Sequence, residues 1–97
     1  MGIIKITEFQ SAAGQQNTLG PLLAEGRNRM RLADGCETFD LYRDEDDELS
    51  FTFVQRWAST ESHDAAFGER IVQSGHLEKV LKCLGKPLIQ RTYVMVP

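Results

Sequence analysis

Two alternating runs separated by a short acidic stretch constrain this chain more than any other feature. Residues 36–43 (CETFDLYR) and 49–57 (LSFTFVQRW) both alternate, and the acidic segment 44–48 between them is short enough for a hairpin loop. With Leu41 set opposite Phe51, Phe39 and Leu41 share a face with Phe51 and Phe53. A slip of one residue would turn that whole set outward, so the register is strongly specified. The other face carries Thr38, Asp40, Tyr42, Thr52, Val54 and Arg56, a surface too apolar to be merely solvated. It is a candidate for pairing with a second copy of the chain.

A hairpin needs further strands or helices to be stable, and the rest of the sequence supplies them. Residues 3–9 are rich in β-branched and aromatic types and end at a break around Gly14, which marks a first strand. From Leu19 the spacing becomes helical: Leu19, Leu22, Leu23 and Met30 fall on one face, Pro21 suits a first turn, and Asp34-Gly35 stops the segment. After Trp57, the cluster Ser59-Thr60-Glu61 can cap a helix running to about Gln73, with Ala65, Ala66, Phe67, Ile71 and Val72 as its apolar material. Leu77, Val80, Leu81 and Leu84 then follow the helical template in a short helix that ends at Gly85 and Pro87, and residues 88–96 close the chain as a fourth strand. The order is βαββαβ with an extra short helix. It specifies an α+β, ferredoxin-like fold with an antiparallel sheet, in one domain over residues 1–97.

Charge and composition exclude several functions. A formal net charge of −3, with the one dense charge run acidic, gives no basic stripe for a phosphate backbone, so no nucleic-acid partner is expected. No apolar stretch approaches the ~20 residues of a membrane span, and the alternation over residues 1–9 is not a signal-peptide core. The expectation is a cytoplasmic protein without a membrane partner. Cys36 and Cys83 are too few and too far apart for a disulfide framework and read as reduced thiols. Metal-ligand spacing, a phosphate-binding loop, GxGxxG and HExxH are all missing from the sequence, and the acidic loop lacks the spaced ligands and glycine of a calcium loop. No metal and no cofactor are expected.

Three segments carry a family resemblance: Ala13-Gly14 after the first strand, Gly35-Cys36-Glu37-Thr38-Phe39-Asp40-Leu41-Tyr42-Arg43-Asp44 after the first helix, and Trp57-Ala58-Ser59-Thr60-Glu61 after the third strand. Over roughly residues 3–95 the chain resembles the antibiotic biosynthesis monooxygenase domain. The resemblance implies a homodimer in which two sheets form an α+β barrel, with a small pocket between each sheet and its own helices. It also implies a cofactor-independent monooxygenase of a phenol, hydroquinone or anthrone-like ring. Relatives degrade haem or process other small molecules.

His63 and His76 are the side chains whose ordinary ionisation lies near neutrality, so an acid/base step at pH 7 would most simply use one of them. The position of His63 on a first helical turn favours a solvent-facing side chain, and that of His76 at a helix start favours a cap or surface role. Trp57 ends the third strand on the face of Phe51 and Phe53, where an aromatic wall could hold a planar ring. For a monooxygenase of the family type, Trp57, Phe51, Phe53 and Phe67 would hold the ring. His76 or His63 would take its proton, and Tyr42 or Arg91 would steady the resulting oxyanion. The family often has Glu where Gln55 stands and His where Ala66 stands. Those differences motivate an alternative, a non-catalytic dimeric ligand-binding domain of the same fold. A third reading is an isomerase or haem-degrading relative, although Thr7 replaces the first-strand Asn, and Ala66 or Phe67 the axial His, of the haem-degrading members.

Overall fold

The computed structural model describes residues 2–97; Met1, the first residue of the expected domain and of the leader reading, lies outside them. The elements follow the order expected: β1 (Ile3–Gln10), α1 (Gln16–Arg31), β2 (Cys36–Arg43), β3 (Ser50–Trp57), α2 (Thr60–Phe67), α3 (His76–Lys82) and β4 (Ile89–Val94). The four strands form one antiparallel sheet in the order β2-β3-β1-β4, the ferredoxin-like arrangement.

The β2–β3 hairpin pairs Leu41 with Phe53 rather than with Phe51. The two-residue shift lengthens the loop but preserves the face, because strand side chains repeat with a period of two. Across the helix-covered side, one row runs Phe39–Gln55–Lys5–Thr92 and the next runs Leu41–Phe53–Thr7–Gln90. Phe53 anchors the second row with edge-on contacts to Phe9 (5.1 Å between centroids) and Phe39 (4.7 Å), the geometry aromatic quadrupoles favour.

Helix α1 starts three residues before Leu19, so Pro21 lies in its second turn rather than its first. Its ring removes one N–H from a helix whose hold on the sheet comes from the buried stripe Leu19, Leu23, Gly26 and Met30. The expected helix over residues 60–73 is α-helical only to Phe67. It continues through Gly68–Val72 as a wider π-type turn, closed by the Gln73 amide donating to the Gly68 carbonyl at 3.0 Å. The extra residue in that turn brings Ile71 onto the buried face five positions after Ala66, which is why the apolar period there looks blurred in the sequence.

Gly35 fixes where α2 begins. Its φ of +87° is open to glycine at no steric cost, and a Cβ there would lie 2.6 Å from the Ser62 side chain. The helix start is capped by Ser59, whose hydroxyl accepts from the Ser62 amide at 3.1 Å.

No helix covers the opposite side of the sheet. Ile4, Ile6 and Val54 are half-buried there, Tyr42 and Tyr93 are exposed, and Arg56, Arg91 and Glu8 surround them. Among the described residues, no helix is long and apolar enough to cross a membrane, and no cluster of three or more His, Cys, Asp or Glu could hold a metal ion.

Candidate functional site

A cavity lies between the helix-covered side of the sheet and the helices. Its floor is Phe9, Thr7, Phe53 and Gln55, and its roof includes Leu22, Met30, Phe67, Ile71, His63 and His76. The space open to the centre of a water-sized sphere is about 70 Å³, several times the ~10–15 Å³ that one water needs. The lining is mostly apolar with a few convergent polar groups, the usual composition of a small-molecule site. The exposed Gln90 on β4 marks its open side.

Both histidines are in this lining, and neither is at the surface. His63 is 5% exposed and His76 3%. The expected solvent-facing position of His63 fails because it shares the inner face of α2 with Ala66, which the Ser59 cap turns toward the sheet. The surface or capping role expected for His76 fails because α3 packs on α1 through its first residue.

The two rings are held differently. His63 stands edge-on to Trp57 (centroids 5.4 Å apart, 88° between planes) and stacks on Phe67 (5.8 Å, 12°). Its Nδ1 is 2.9 Å from Asp64 Oδ1. A carboxylate can only accept, so Nδ1 carries the hydrogen and Nε2 keeps a lone pair. His76 is the reverse: its Nε2 is 2.7 Å from the Leu22 carbonyl oxygen, again an acceptor only, so Nε2 donates and that nitrogen is occupied. Its ring also lies against Gly26, where a Cβ would come within 3.3 Å of Nε2. Its Nδ1 is 3.7 Å from Glu25 Oε2, beyond hydrogen-bond distance.

Burial holds the His63 pKa below its ordinary value of 6.5. The nearby Lys5 charge acts in the same direction, while the hydrogen bond and charge of Asp64 act against it. The ring is thereby kept neutral at pH 7, the form that can take a proton.

Trp57 is fully buried and does not line the cavity. Its Nε1–H donates to Gln55 Oε1 at 2.8 Å. An indole N–H can only donate, so this bond fixes the Gln55 amide with its oxygen toward Trp57 and its NH₂ free. Among the described residues neither Gln55 Nε2 nor His63 Nε2 has a protein partner. Neither nitrogen is fully enclosed, and both residues line the cavity.

Of the other expected site residues, Phe53 and Phe67 line the cavity, whereas Phe51 packs against Gly20 outside it. Tyr42 and Arg91 lie on the bare side of the sheet, beside Thr52 and Ile6 respectively, and the sheet separates them from the cavity. Strand parity turns both outward, Tyr42 onto the face expected from the alternation, so the oxyanion role expected for them fails. Gln55, noted in the sequence only as a departure from the family's Glu, is a site residue as well, and its signal is a polar side chain at an inward position of an otherwise apolar strand face. Cys36 is partly buried, and that burial raises its thiol pKa, so it is not an activated nucleophile.

The family model for antibiotic biosynthesis monooxygenase matches residues 2–81. Among curated proteins no sequence match is found. The fold is close to that of several solved structures. Rv0793 from Mycobacterium tuberculosis is 21% identical, with a TM-score of 0.90 over 100% of this chain and 97% of that one. A protein described as an antibiotic biosynthesis monooxygenase is 18% identical, with a TM-score of 0.89 over 98% of this chain and 99% of that one. SnoaB from Streptomyces nogalater, a cofactor-independent oxygenase, is 11% identical, with a TM-score of 0.82 over 97% of this chain and 92% of that one. At these identities the likeness is one of fold.

Proposed function

The chain belongs to the antibiotic biosynthesis monooxygenase family, and from that premise we propose that its cavity carries out cofactor-independent oxygenation of a small electron-rich aromatic ring. The observation that carries this reading is the unpartnered Nε2 of His63, on a ring that lines an apolar cavity and that burial keeps neutral. A phenol or hydroquinone that loses its proton to Nε2 becomes electron-rich enough to react directly with dioxygen. For a hydroquinone the balance closes without an added reductant. One oxygen atom enters the ring to give a hydroxyquinone, and the other leaves as water with two substrate hydrogens.

Each residue then has a defined task. Phe53 and Phe67 hold the ring and exclude water. Asp64 fixes the His63 tautomer and favours the imidazolium that forms. The free amide of Gln55, aimed by Trp57, donates to the developing oxyanion, a contribution that a low-dielectric site strengthens. His76 takes a structural part as the tie between α3 and α1. The cavity is about half the ~150 Å³ of one that holds a benzene ring, so even a single ring would extend past Gln90, and a fused-ring substrate such as an anthrone further still.

The bare side of the sheet supports a homodimer formed face to face, in which Ile4, Ile6, Val54 and Tyr93 would be covered. Sedimentation at micromolar concentration tests that part: Ile6→Lys would convert a dimer to a folded monomer.

Dioxygen uptake by the metal-free protein with a panel of phenols and hydroquinones tests the activity. Uptake above the uncatalysed rate is expected for at least one of them. Its absence across the panel, in protein that binds the same compounds, would leave a ligand-binding domain without oxygenase activity.

A further inference from the structure

Lys5 is the one lysine in the row of side chains that faces the helices. It sits between Gln55 on β3 and Thr92 on β4, next to Thr7 along its own strand, and is 8% exposed. Its Nζ donates to Thr92 Oγ1 at 2.8 Å. Two of its three N–H donors are left without a partner among the described residues, and no carboxylate there lies within 4.0 Å of Nζ. A lysine this buried is ordinarily paired with an acid, and one neutral hydroxyl does not offset the loss of hydration. Thr92 is exposed, so the stem of Lys5 is buried while its ammonium reaches the edge of the sheet with two donors to spare.

Its position suggests what completes it. Gln55 and Thr7, its neighbours across and along the sheet, both line the cavity, and Thr92 is the next inward position on β4 after Gln90, at the cavity's open side. The charge of Lys5 also reaches His63. Lys5 does not itself line the cavity, and a ligand that extends past Gln90 toward Thr92 would bring an edge to its two free donors.

We propose that the ligand of this cavity carries an anionic oxygen that binds Lys5, so that the substrate class is an aromatic acid or a phenol bound as its phenolate. The inference deepens the oxygenase reading and rests on the same cavity, but its test reads binding rather than turnover. Uptake of dioxygen without the binding pattern below would sink this inference alone. The binding pattern without uptake would sink the oxygenase reading alone.

The experiment is calorimetric titration of the wild-type protein and of Lys5→Met with two matched pairs of probes, benzoate against the equally shaped neutral benzamide, and 4-nitrophenolate against nitrobenzene. A charge-assisted hydrogen bond predicts a preference for the charged member of about tenfold or more in the wild type, falling to parity in Lys5→Met. Preference within the first pair assigns the anion to a ring carboxylate. Preference in the second pair alone assigns it to the phenolate. Lys5→Met should melt at or above the wild-type temperature, since it replaces a poorly satisfied buried lysine by an apolar chain of similar length. Parity in the wild type, or a preference that survives in Lys5→Met, overturns the proposal. So does a marked loss of stability in Lys5→Met with the preference intact, which would make Lys5 a structural tie to Thr92. If Lys5→Met does not fold, Thr92→Val leaves the lysine in place without its partner. The anion preference should persist in that variant, and parity there also overturns the proposal.

Discussion

The cavity has a histidine on α2 and another on α3, both buried, both in the lining, and both neighbours of an acidic side chain. They differ in which ring nitrogen is already occupied. On α2, the carboxylate of Asp64 engages Nδ1 from the solvent side and leaves Nε2 open. On α3, a main-chain carbonyl engages Nε2 from inside the protein, and the ring becomes a strut between two helices. Burial and residue type, the usual signs of a functional histidine, do not separate them. What surrounds the remaining nitrogen does: Nε2 of His63 has no protein partner, whereas Nδ1 of His76 lies 3.7 Å from Glu25 Oε2.

The largest expected effect lies in that difference. His63→Gln should lower dioxygen uptake by about 10²- to 10⁴-fold, the usual contribution of a positioned general base, with a smaller change in KM. His76→Gln should lower it by less than tenfold and show its effect in thermal stability. Equal losses in the two variants would erase the distinction.

Next comes the residue that supports the His63 region from below. Trp57→Ala removes a fully buried indole and frees the Gln55 amide to reorient. Urea unfolding should register a loss of about 3–5 kcal/mol, and uptake per folded molecule should fall as well. A smaller step is Gly35→Ala, which forces a positive φ on alanine and drives its Cβ into Ser62, one residue before His63. A cost of about 2 kcal/mol or more is expected in the same assay, at the upper end of a left-handed backbone penalty.

The smallest expected effect is in pH dependence. Because burial lowers the His63 pKa in the folded chain, the unfolded chain takes up a proton more readily below its ordinary value of 6.5. Stability therefore declines as the pH falls through that value and is fully present above it. Urea midpoints at pH 7.5 and 5.5 should differ more in the wild type than in His63→Gln. An equal difference would mean that His63 does not resist protonation.

The contrast between the two histidines also shows what the sequence can and cannot carry. The hairpin, the order of elements and the helix-facing aromatic set were legible because period-two alternation and turn residues are local signals. Even a register two residues off kept Phe39, Leu41, Phe51 and Phe53 on one face. The histidines were misread because their burial depends on packing between elements: the cap at Ser59 rotates α2, the π-type turn after it resets the helical phase, and α3 docks on α1 through its first residue. Lys5, Thr7 and Gln55 were legible in principle. Each is a polar residue at an inward position of a strand whose other inward positions are apolar, and such interruptions outline the floor of the site and its edge.

The most direct measurement is the nitrogen-15 spectrum of the two imidazole rings at neutral pH, before and after addition of a phenol. The account predicts His63 protonated at Nδ1 with a bare Nε2 that shifts when the phenol binds, and His76 protonated at Nε2. A His63 ring protonated at Nε2 with a bare Nδ1 would contradict it, because no lone pair would then face the cavity.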